Sequence, residues 1–137
     1  MKGRKGLVVL ILILSLSPFQ CGRKATISIP EELIGVWKTT APPYADRFFE
    51  IKTDEVVFGT GEETFDTYPI TKIKTEKDPK EQRTLYTLYY RSIEGQEYQF
   101  SFYYDPENHG TIRFKNQKEM AWTKKEASDE KSDDQTS

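Results

Sequence analysis

The segment YQFSFYY, residues 98–104, is the clearest indication of the fold, because its large aromatic side chains fall on every second position. Alternate side chains of a β-strand point to opposite faces, so this spacing places residues 98, 100, 102 and 104 on one face of a strand. Gln99 and Ser101 then lie on the other face. The same two-residue period recurs in TIRFK, residues 111–115, and in MAWT, residues 120–123. The pattern predicts strands that each bury one face.

Turn-forming residues separate this strand from its neighbours on both sides. Glu94-Gly95 precedes it, and Asp105-Pro106 follows it. Glycine, proline and aspartate favour tight turns, and short connections make neighbouring strands antiparallel. Extending the same reading along the chain predicts eight strands, after a helical turn at residues 31–34. The strands are expected near residues 35–40, 46–52, 55–58, 64–74, 83–92, 96–104, 110–115 and 119–124.

An all-β, antiparallel up-and-down meander of about eight strands most readily closes into a barrel, because closure removes the exposed edge strands. An eight-stranded barrel is just wide enough to be filled by side chains or to hold one small ligand. The interior candidates are numerous and large, which favours a filled barrel over a deep ligand cavity. They are Trp37, Phe49, Ile51, Val56, Phe58, Ile70, Tyr86, Leu88, Tyr90, Tyr98, Phe100, Phe102, Tyr104, Ile112, Phe114, Met120 and Trp122.

The first predicted strand opens with Gly35-Val36-Trp37, which resembles the Gly-x-Trp motif at the start of the lipocalin family. In that family the tryptophan plugs one end of an eight-stranded barrel, and a basic residue near the end of the last strand packs over its indole. The resemblance implies that Lys124 or Lys125, shortly after Trp122, takes this role. It also implies a small lipocalin-like barrel, with Trp37, Trp122 and Lys124 at its closure.

The N-terminus resembles an export signal. Three basic residues are followed by an apolar run from Leu7 to Leu16, and Pro18 comes soon after it. This run of ten residues, which are all apolar except Ser15, is too short for a membrane-spanning helix, which needs roughly 20, but it suits the central region of a secretory signal. We therefore expect a signal peptide at residues 1–20 and an exported protein.

Cys21, the only cysteine, follows this segment directly, as in bacterial lipoproteins. The resemblance implies cleavage before Cys21 and attachment of a lipid to its thiol, which would anchor the protein in a membrane. The lone thiol has no internal disulfide partner, which favours acylation. Gly22, in place of an aspartate, favours the outer membrane. The alternatives are an unmodified thiol, cleavage after Ser17 and an uncleaved leader.

Composition bounds the partners. Without the leader, 17 Lys and Arg face 22 Asp and Glu, so the exported chain is acidic. Nucleic acids and anionic membrane surfaces reward a basic face, so neither is expected as a partner. Residues 126–137 are acidic and lack aromatic or branched apolar residues, which predicts a disordered tail. The expected organisation is a signal peptide at 1–20, a tether at 21–30, a β-barrel domain at 31–125 and a tail at 126–137.

No catalytic constellation is recognisable in the sequence. Ser-His-Asp and Cys-His chemistry need a histidine, and the only one, His109, lies in a predicted turn beside Gly110. A zinc site needs three or four suitable ligands, and the spacing of a calcium loop is missing. Gly59-Thr60-Gly61 is not followed by the lysine of a phosphate-binding loop, so it indicates a turn or a bulge. We expect no catalytic residue, no metal and no cofactor.

Four tyrosines fall in predicted loops or on the predicted outer face: Tyr44, Tyr68, Tyr89 and Tyr103. Exposed tyrosines bury a large area at a small entropic cost, so Tyr44, Tyr89 and Tyr103 form a candidate contact patch for an envelope protein or a glycan. Ordinary cross-strand pairing that stiffens the sheet is the alternative explanation.

Three functional hypotheses follow. The first is a non-enzymatic envelope lipoprotein whose barrel is a binding or structural module tethered to a membrane. The second is a lipocalin-like carrier of a small apolar ligand, which needs a connected apolar cavity of roughly 300 Å³ or more. The third is a hydrolase with two carboxylates in one cleft.

Overall fold

Alternating apolar residues organise the chain into eight antiparallel strands that close into a barrel, as predicted. A computed structural model describes residues 26–125. The predicted signal peptide, Cys21 and the acidic tail lie outside the described residues. The strands are β1 (Gly35–Lys38), β2 (Phe48–Ile51), β3 (Glu55–Gly61), β4 (Thr64–Lys77), β5 (Thr84–Arg91), β6 (Glu97–Asp105), β7 (Thr111–Phe114) and β8 (Gln117–Lys124), with short 3₁₀ helices at Glu31–Leu33 and Glu107–His109.

Each strand pairs with the next one along the chain, and the first pairs with the last. Closure places Trp37 opposite Lys124 and Lys38 opposite Thr123. The amide of Lys125 extends this ladder by donating a 2.8 Å hydrogen bond to the carbonyl of Val36. The all-β meander and its closure are therefore confirmed.

The glycine-rich segment after the predicted third strand forms part of that strand. β3 extends to Gly61, where a register shift between Gly59 and Gly61 marks a β-bulge against β4. Gly61 has a φ of 90°, which glycine adopts without the steric cost that a side chain brings. The bulge lets β3 and β4 continue almost to the turn that joins them.

The interior is filled by the side chains that the alternation assigns to it. Trp37, Ile51 and Leu88 have no exposed surface, and Phe49 is 2% exposed. The buried core cluster is Ile29, Leu33, Trp37, Phe49, Ile51, Val56, Ile70, Tyr86, Leu88, Phe102, Ile112 and Trp122.

Two observations differ from the sequence-based expectation. Tyr98 was expected in the core but is 42% exposed, because it lies near the start of β6, at the rim of the barrel. The Tyr98 side chain points to the predicted inner face of the strand, but among the described residues no further layer of interior side chains covers it. Ile29 falls within the predicted tether but belongs to the core cluster, and Ile27 packs against that cluster. The packed chain therefore includes residues before Glu31.

The up-and-down order gives the barrel two different ends. At one, called here the closed end, lie the N-terminal segment with the Glu31–Leu33 helix, the β2–β3, β4–β5 and β6–β7 connections, and the end of β8. At the other, called the open end, lie the β1–β2, β3–β4, β5–β6 and β7–β8 connections. The two termini of the described chain therefore leave from the closed end.

Candidate functional site

The closed end is sealed by hydrogen bonds around Trp37. Its indole Nε1 donates a 3.0 Å bond to the carbonyl of Leu33, in the 3₁₀ helix that leads into β1. The Lys124 ammonium lies 5.2 Å from the centroid of the indole ring and donates a 2.9 Å bond to the carbonyl of Glu32. The Trp37 indole and the Lys124 ammonium thus both donate hydrogen bonds to backbone carbonyls of this helix.

Tyr86 adds a polar contact to this seal. Its hydroxyl donates a 3.2 Å hydrogen bond to Oε1 of Glu32, although the side chain is only 6% exposed. Burial, and then the neighbouring Glu32 carboxylate, raises the pKa of Tyr86 to about 12. The neutral phenol is therefore the form that the closed end stabilises.

The open end carries an aromatic cluster without a comparable cover. Phe58, Tyr68 and Tyr90 form a triangle with ring centroids 5.3–6.1 Å apart. Tyr98 stacks on Tyr90 at 5.7 Å, and Phe100 lies 5.7 Å from Phe58. These five residues are called the aromatic mouth. The contacts are tilted, stacked and edge-to-face, at centroid distances within the range that aromatic pairs prefer, so the rings stabilise one another.

Two clefts open from the aromatic mouth. The first, of about 720 Å³, lies among Phe58, Tyr90, Phe100 and Phe114 and reaches the turn at residues 115–117. It is larger than the roughly 300 Å³ that a small-molecule pocket needs, but it opens to solvent at the end of the barrel.

The second cleft, of about 740 Å³, runs along the side of the barrel. It is lined by the first half of β4, at residues 65–69, and by the end of β5 with the following turn, at residues 90–94. Tyr98 completes the lining. This cleft is called the side groove. Three of its lining residues are large and exposed: Phe65 is 64% exposed, Ile93 is fully exposed and Tyr98 is 42% exposed.

The side groove exists because β4 and β5 pair only over part of their length. The register between them runs from Lys77 opposite Thr84 up to Ile70 opposite Tyr90, with a register shift between Ile70 and Lys72. Among the described strands, residues 64–69 of β4 pair with β3 alone. The wall of the barrel is therefore split at this corner of the open end.

Negative charge predominates along the side groove. Asp66 and Glu94 line it, and the β3–β4 turn beside it contributes Glu62 and Glu63. The basic lining residue, Arg91, is paired with Glu97 at 3.6 Å. A cationic ligand is therefore favoured over an anionic one.

The tyrosines predicted as a contact patch lie in three separate places. Tyr44 is in the β1–β2 connection, packs against the core and lies 5.4 Å from the Arg47 guanidinium. Tyr89 is half-buried on the outer face of β5, with the Lys72 and Lys74 ammonium groups 5.8 and 5.4 Å from its ring. The structure does not bring these two side chains together.

Tyr103, the third tyrosine of that patch, is covered by the β4–β5 loop and is 5% exposed. Its hydroxyl donates a 3.1 Å hydrogen bond to Oδ2 of Asp78, and the Lys118 ammonium lies 5.3 Å from its ring. Lys118 also pairs with Glu81 at 3.1 Å. Hydrogen bonds from the amides of Lys80 and Glu81 lower the pKa of Asp78, so it stays ionised and holds the loop in place.

Tyr68, which the sequence assigned to a loop or the outer face, lies in the aromatic mouth and packs against the core. Sequence reasoning also missed Phe65 and Ile93 as exposed apolar residues. The signal for them was weak, because a single apolar residue in a polar stretch has no period.

Within residues 26–125, no helix is long and apolar enough to span a membrane, and no group of three or more His, Cys, Asp or Glu is placed to hold a metal ion. His109 is exposed in the β6–β7 connection. Comparison of the chain with protein-family models, with curated proteins and with solved structures finds no match.

Proposed function

We propose that this chain is an exported envelope lipoprotein, anchored through Cys21, whose barrel is a non-enzymatic module that binds its partner at the open end. The observation that carries the proposal is the exposed apolar surface of the side groove, next to the aromatic mouth. Apolar area left in water is costly at roughly 25 cal/mol per Å², and concentrated exposed patches on soluble domains commonly mark interaction sites. Phe65, Ile93 and Tyr98 form such a concentration at one end of the barrel.

The position of the termini supports the orientation of this module. Thr26, the first described residue, leads into the helix at the closed end. Cys21 precedes it by five residues, which span at most about 18 Å when fully extended. A lipid on Cys21 would therefore keep the closed end near the membrane and direct the aromatic mouth away from it. Gly22 after the cysteine favours the outer membrane as the location.

The anchor is tested by Cys21→Ala in the full chain. The wild-type protein is expected in the membrane fraction with the mass of an acylated N-terminal cysteine, because two or more acyl chains hold a protein firmly. The variant is expected to lose both. An unmodified wild-type mass, with equal membrane retention of the variant, would show that no lipid is attached.

The binding end is tested by photo-crosslinking in intact cells. A photoreactive phenylalanine analogue at position 98 is expected to capture a discrete partner. The same analogue at position 53, exposed in the β2–β3 turn at the closed end, is the matched control. A partner captured at position 53 and not at position 98 would contradict the proposal.

A second candidate function is a carrier of a small apolar molecule, and it is favoured by Phe58, Tyr90, Phe100 and Phe114, which line the cleft of about 720 Å³ together with five polar residues. An uncharged naphthylamine dye should then bind with one-to-one stoichiometry, and Phe100→Ala should change its affinity. Tyr104→Phe, which removes a hydroxyl at the closed end, is the control. Dye binding that ignores both substitutions would argue against this function.

A further inference from the structure

We infer that the open end binds an extended peptide segment carrying basic residues, which adds as a strand to the unpaired edge of β4 at residues 64–69. The inference rests on the proposed function for the use of this end, and it names the class of ligand. It follows from three features of the side groove: its backbone edge, its exposed apolar side chains and its charge.

The backbone edge can be assigned from the register. The amide of Ile70 donates a 2.8 Å hydrogen bond to the carbonyl of Asp54, so Ile70 directs its backbone groups toward β3. Backbone groups of an antiparallel strand alternate in direction, so Tyr68 also faces β3, whereas Phe65 and Thr67 face the opposite side. On that opposite side, no described strand pairs with the residues of β4 that precede Ile70.

Pro69 fits this assignment. Its backbone direction matches that of Phe65 and Thr67, so its missing N–H falls on the unpaired side and removes no bond to β3. Proline in a sheet is tolerated at such edge positions. An added strand would find the N–H and carbonyl groups of Phe65 and Thr67, together with the carbonyl of Pro69.

The space beside this edge fits an extended chain. The side groove has a volume of about 740 Å³ and separates residues 65–69 from the β5–β6 hairpin. Phe65, Ile93 and Tyr98 flank it with exposed apolar surface. In β-strand addition, main-chain hydrogen bonds supply affinity, and contacts to alternate side chains supply specificity.

The negative charge of the side groove favours a basic ligand. Asp66 and Glu94 lie in the groove, Glu62 and Glu63 lie beside it, and Arg91 is already paired with Glu97. A lysine- or arginine-bearing peptide is complementary to this field. A second copy pairing through the same edge would bring acidic surfaces together, so the charge disfavours self-association.

The test measures peptide affinity with the full chain purified in detergent. The probe is a fluorescent peptide of about eight residues in which lysine alternates with threonine or valine, followed by fluorescence anisotropy. Two matched probes replace every lysine by glutamate, or methylate alternate backbone nitrogens of the lysine peptide. We expect binding of the lysine peptide and at least about tenfold weaker binding of both others, since a tenfold change corresponds to about 1.4 kcal/mol, the size of a hydrogen bond.

Two pairs of variants locate the binding. Thr67→Pro removes the N–H on the unpaired side and should weaken binding about tenfold or more, whereas Thr67→Val keeps the N–H and should stay within about twofold. Asp66→Lys should weaken binding similarly, whereas Glu76→Lys, near the closed end of the same strand, should not. Circular dichroism confirms that each variant is folded.

Equal affinity for the lysine and glutamate peptides, or affinities that ignore Thr67→Pro, would overturn the inference. A concentration-dependent dimer in sedimentation that Thr67→Pro abolishes would assign the edge to a second copy instead. Because the photo-crosslinking at position 98 needs no peptide, capture there together with failure of all peptides would leave the proposed function standing and reject only the ligand class.

Discussion

The two ends of this barrel are built from the same kinds of residue but reach opposite states. At the closed end Trp37 is completely buried, and its indole N–H, the Lys124 ammonium and the Tyr86 hydroxyl all bond to the segment that covers them. At the open end Tyr98 stacks on Tyr90 and is 42% exposed. Aromatic content alone therefore does not decide whether a barrel end is a seal or a surface. The difference depends on whether a segment of the chain covers that end and accepts hydrogen bonds from its side chains.

Truncation of a core side chain should lower the free energy of unfolding by very different amounts at the two ends. Trp37→Ala should lower the free energy of unfolding by about 3–5 kcal/mol, because it leaves a cavity in a fully packed site. Tyr98→Ala should cost about 1 kcal/mol or less, because its ring already contacts water. Urea unfolding followed by far-ultraviolet circular dichroism measures both. Equal costs would show that the open end is as tightly packed as the closed end.

Alkaline pH should loosen the closed end through Tyr86. Its folded-state pKa is raised from the ordinary value near 10 to about 12, so its contribution to stability is complete below pH 10 and is lost as the pH rises to 12. The loss should be no more than about 3 kcal/mol.

Tyr86→Phe should make this alkaline loss shallower, with a remainder from Tyr90, Tyr103 and Tyr104, whose pKa values burial also raises. Urea unfolding at pH 8 and at pH 11 provides the measurement. An unchanged alkaline slope in the variant would show that Tyr86 is not the group responsible.

The two tryptophans differ in whether their indole N–H is hydrogen-bonded. Trp37 Nε1 donates a hydrogen bond to Leu33, whereas Trp122 Nε1 is buried and has no hydrogen-bond partner among the described residues. Trp37→Phe should therefore lower the free energy of unfolding by about 2 kcal/mol. Trp122→Phe should lower it by about 1 kcal/mol or less, because removal of an unsatisfied donor offsets part of the cost of the lost side-chain volume. The same unfolding experiment ranks them, and the reverse order would mean that the hydrogen bond of Trp37 contributes little.

The smallest effect is expected at Lys124. Lys124→Met keeps most of the aliphatic packing but removes the cation over Trp37 and the bond to the Glu32 carbonyl, which together are worth about 1 kcal/mol. Thermal unfolding at low and high salt gives the measurement. Lys125→Met, whose side chain is exposed, is the control and should be neutral.

The strand order and the buried face of each strand were predictable, because a two-residue period carries both. How deep each side chain lies within the barrel was not predictable. Tyr98 and Phe102 share one face of β6 in the sequence pattern, but Phe102 is completely buried and Tyr98 is at the rim. The period tells which way a side chain points and contains no information about how many layers of residues lie beyond it.

The elements of the candidate site were predictable to a smaller extent. Tyr103 lies on the outer face, as its position in the pattern indicates, but the β4–β5 loop folds over it. That contact joins residues 25 positions apart, which local patterns cannot reveal. The split between β4 and β5 was also missed, since both sides of it have ordinary strand-forming sequences. Only the pairing register shows that β4 extends beyond the last residue that pairs with β5.

The pairing of β1 with β8 has a consequence for the order in which the strands of the chain can assemble. The first strand can pair with its neighbour β2 early, but its other edge has no partner until the last strand, β8, has joined the sheet. Trp37 lies in β1, the strand that still lacks its second partner, although the hydrogen bond from its indole to Leu33 is local and can form early. During this interval the nascent sheet has an open edge beside its aromatic interior, which is the state most prone to wrong pairing. The short β7–β8 turn ends the interval quickly once β7 is in place, because the closing strand follows its neighbour almost without delay.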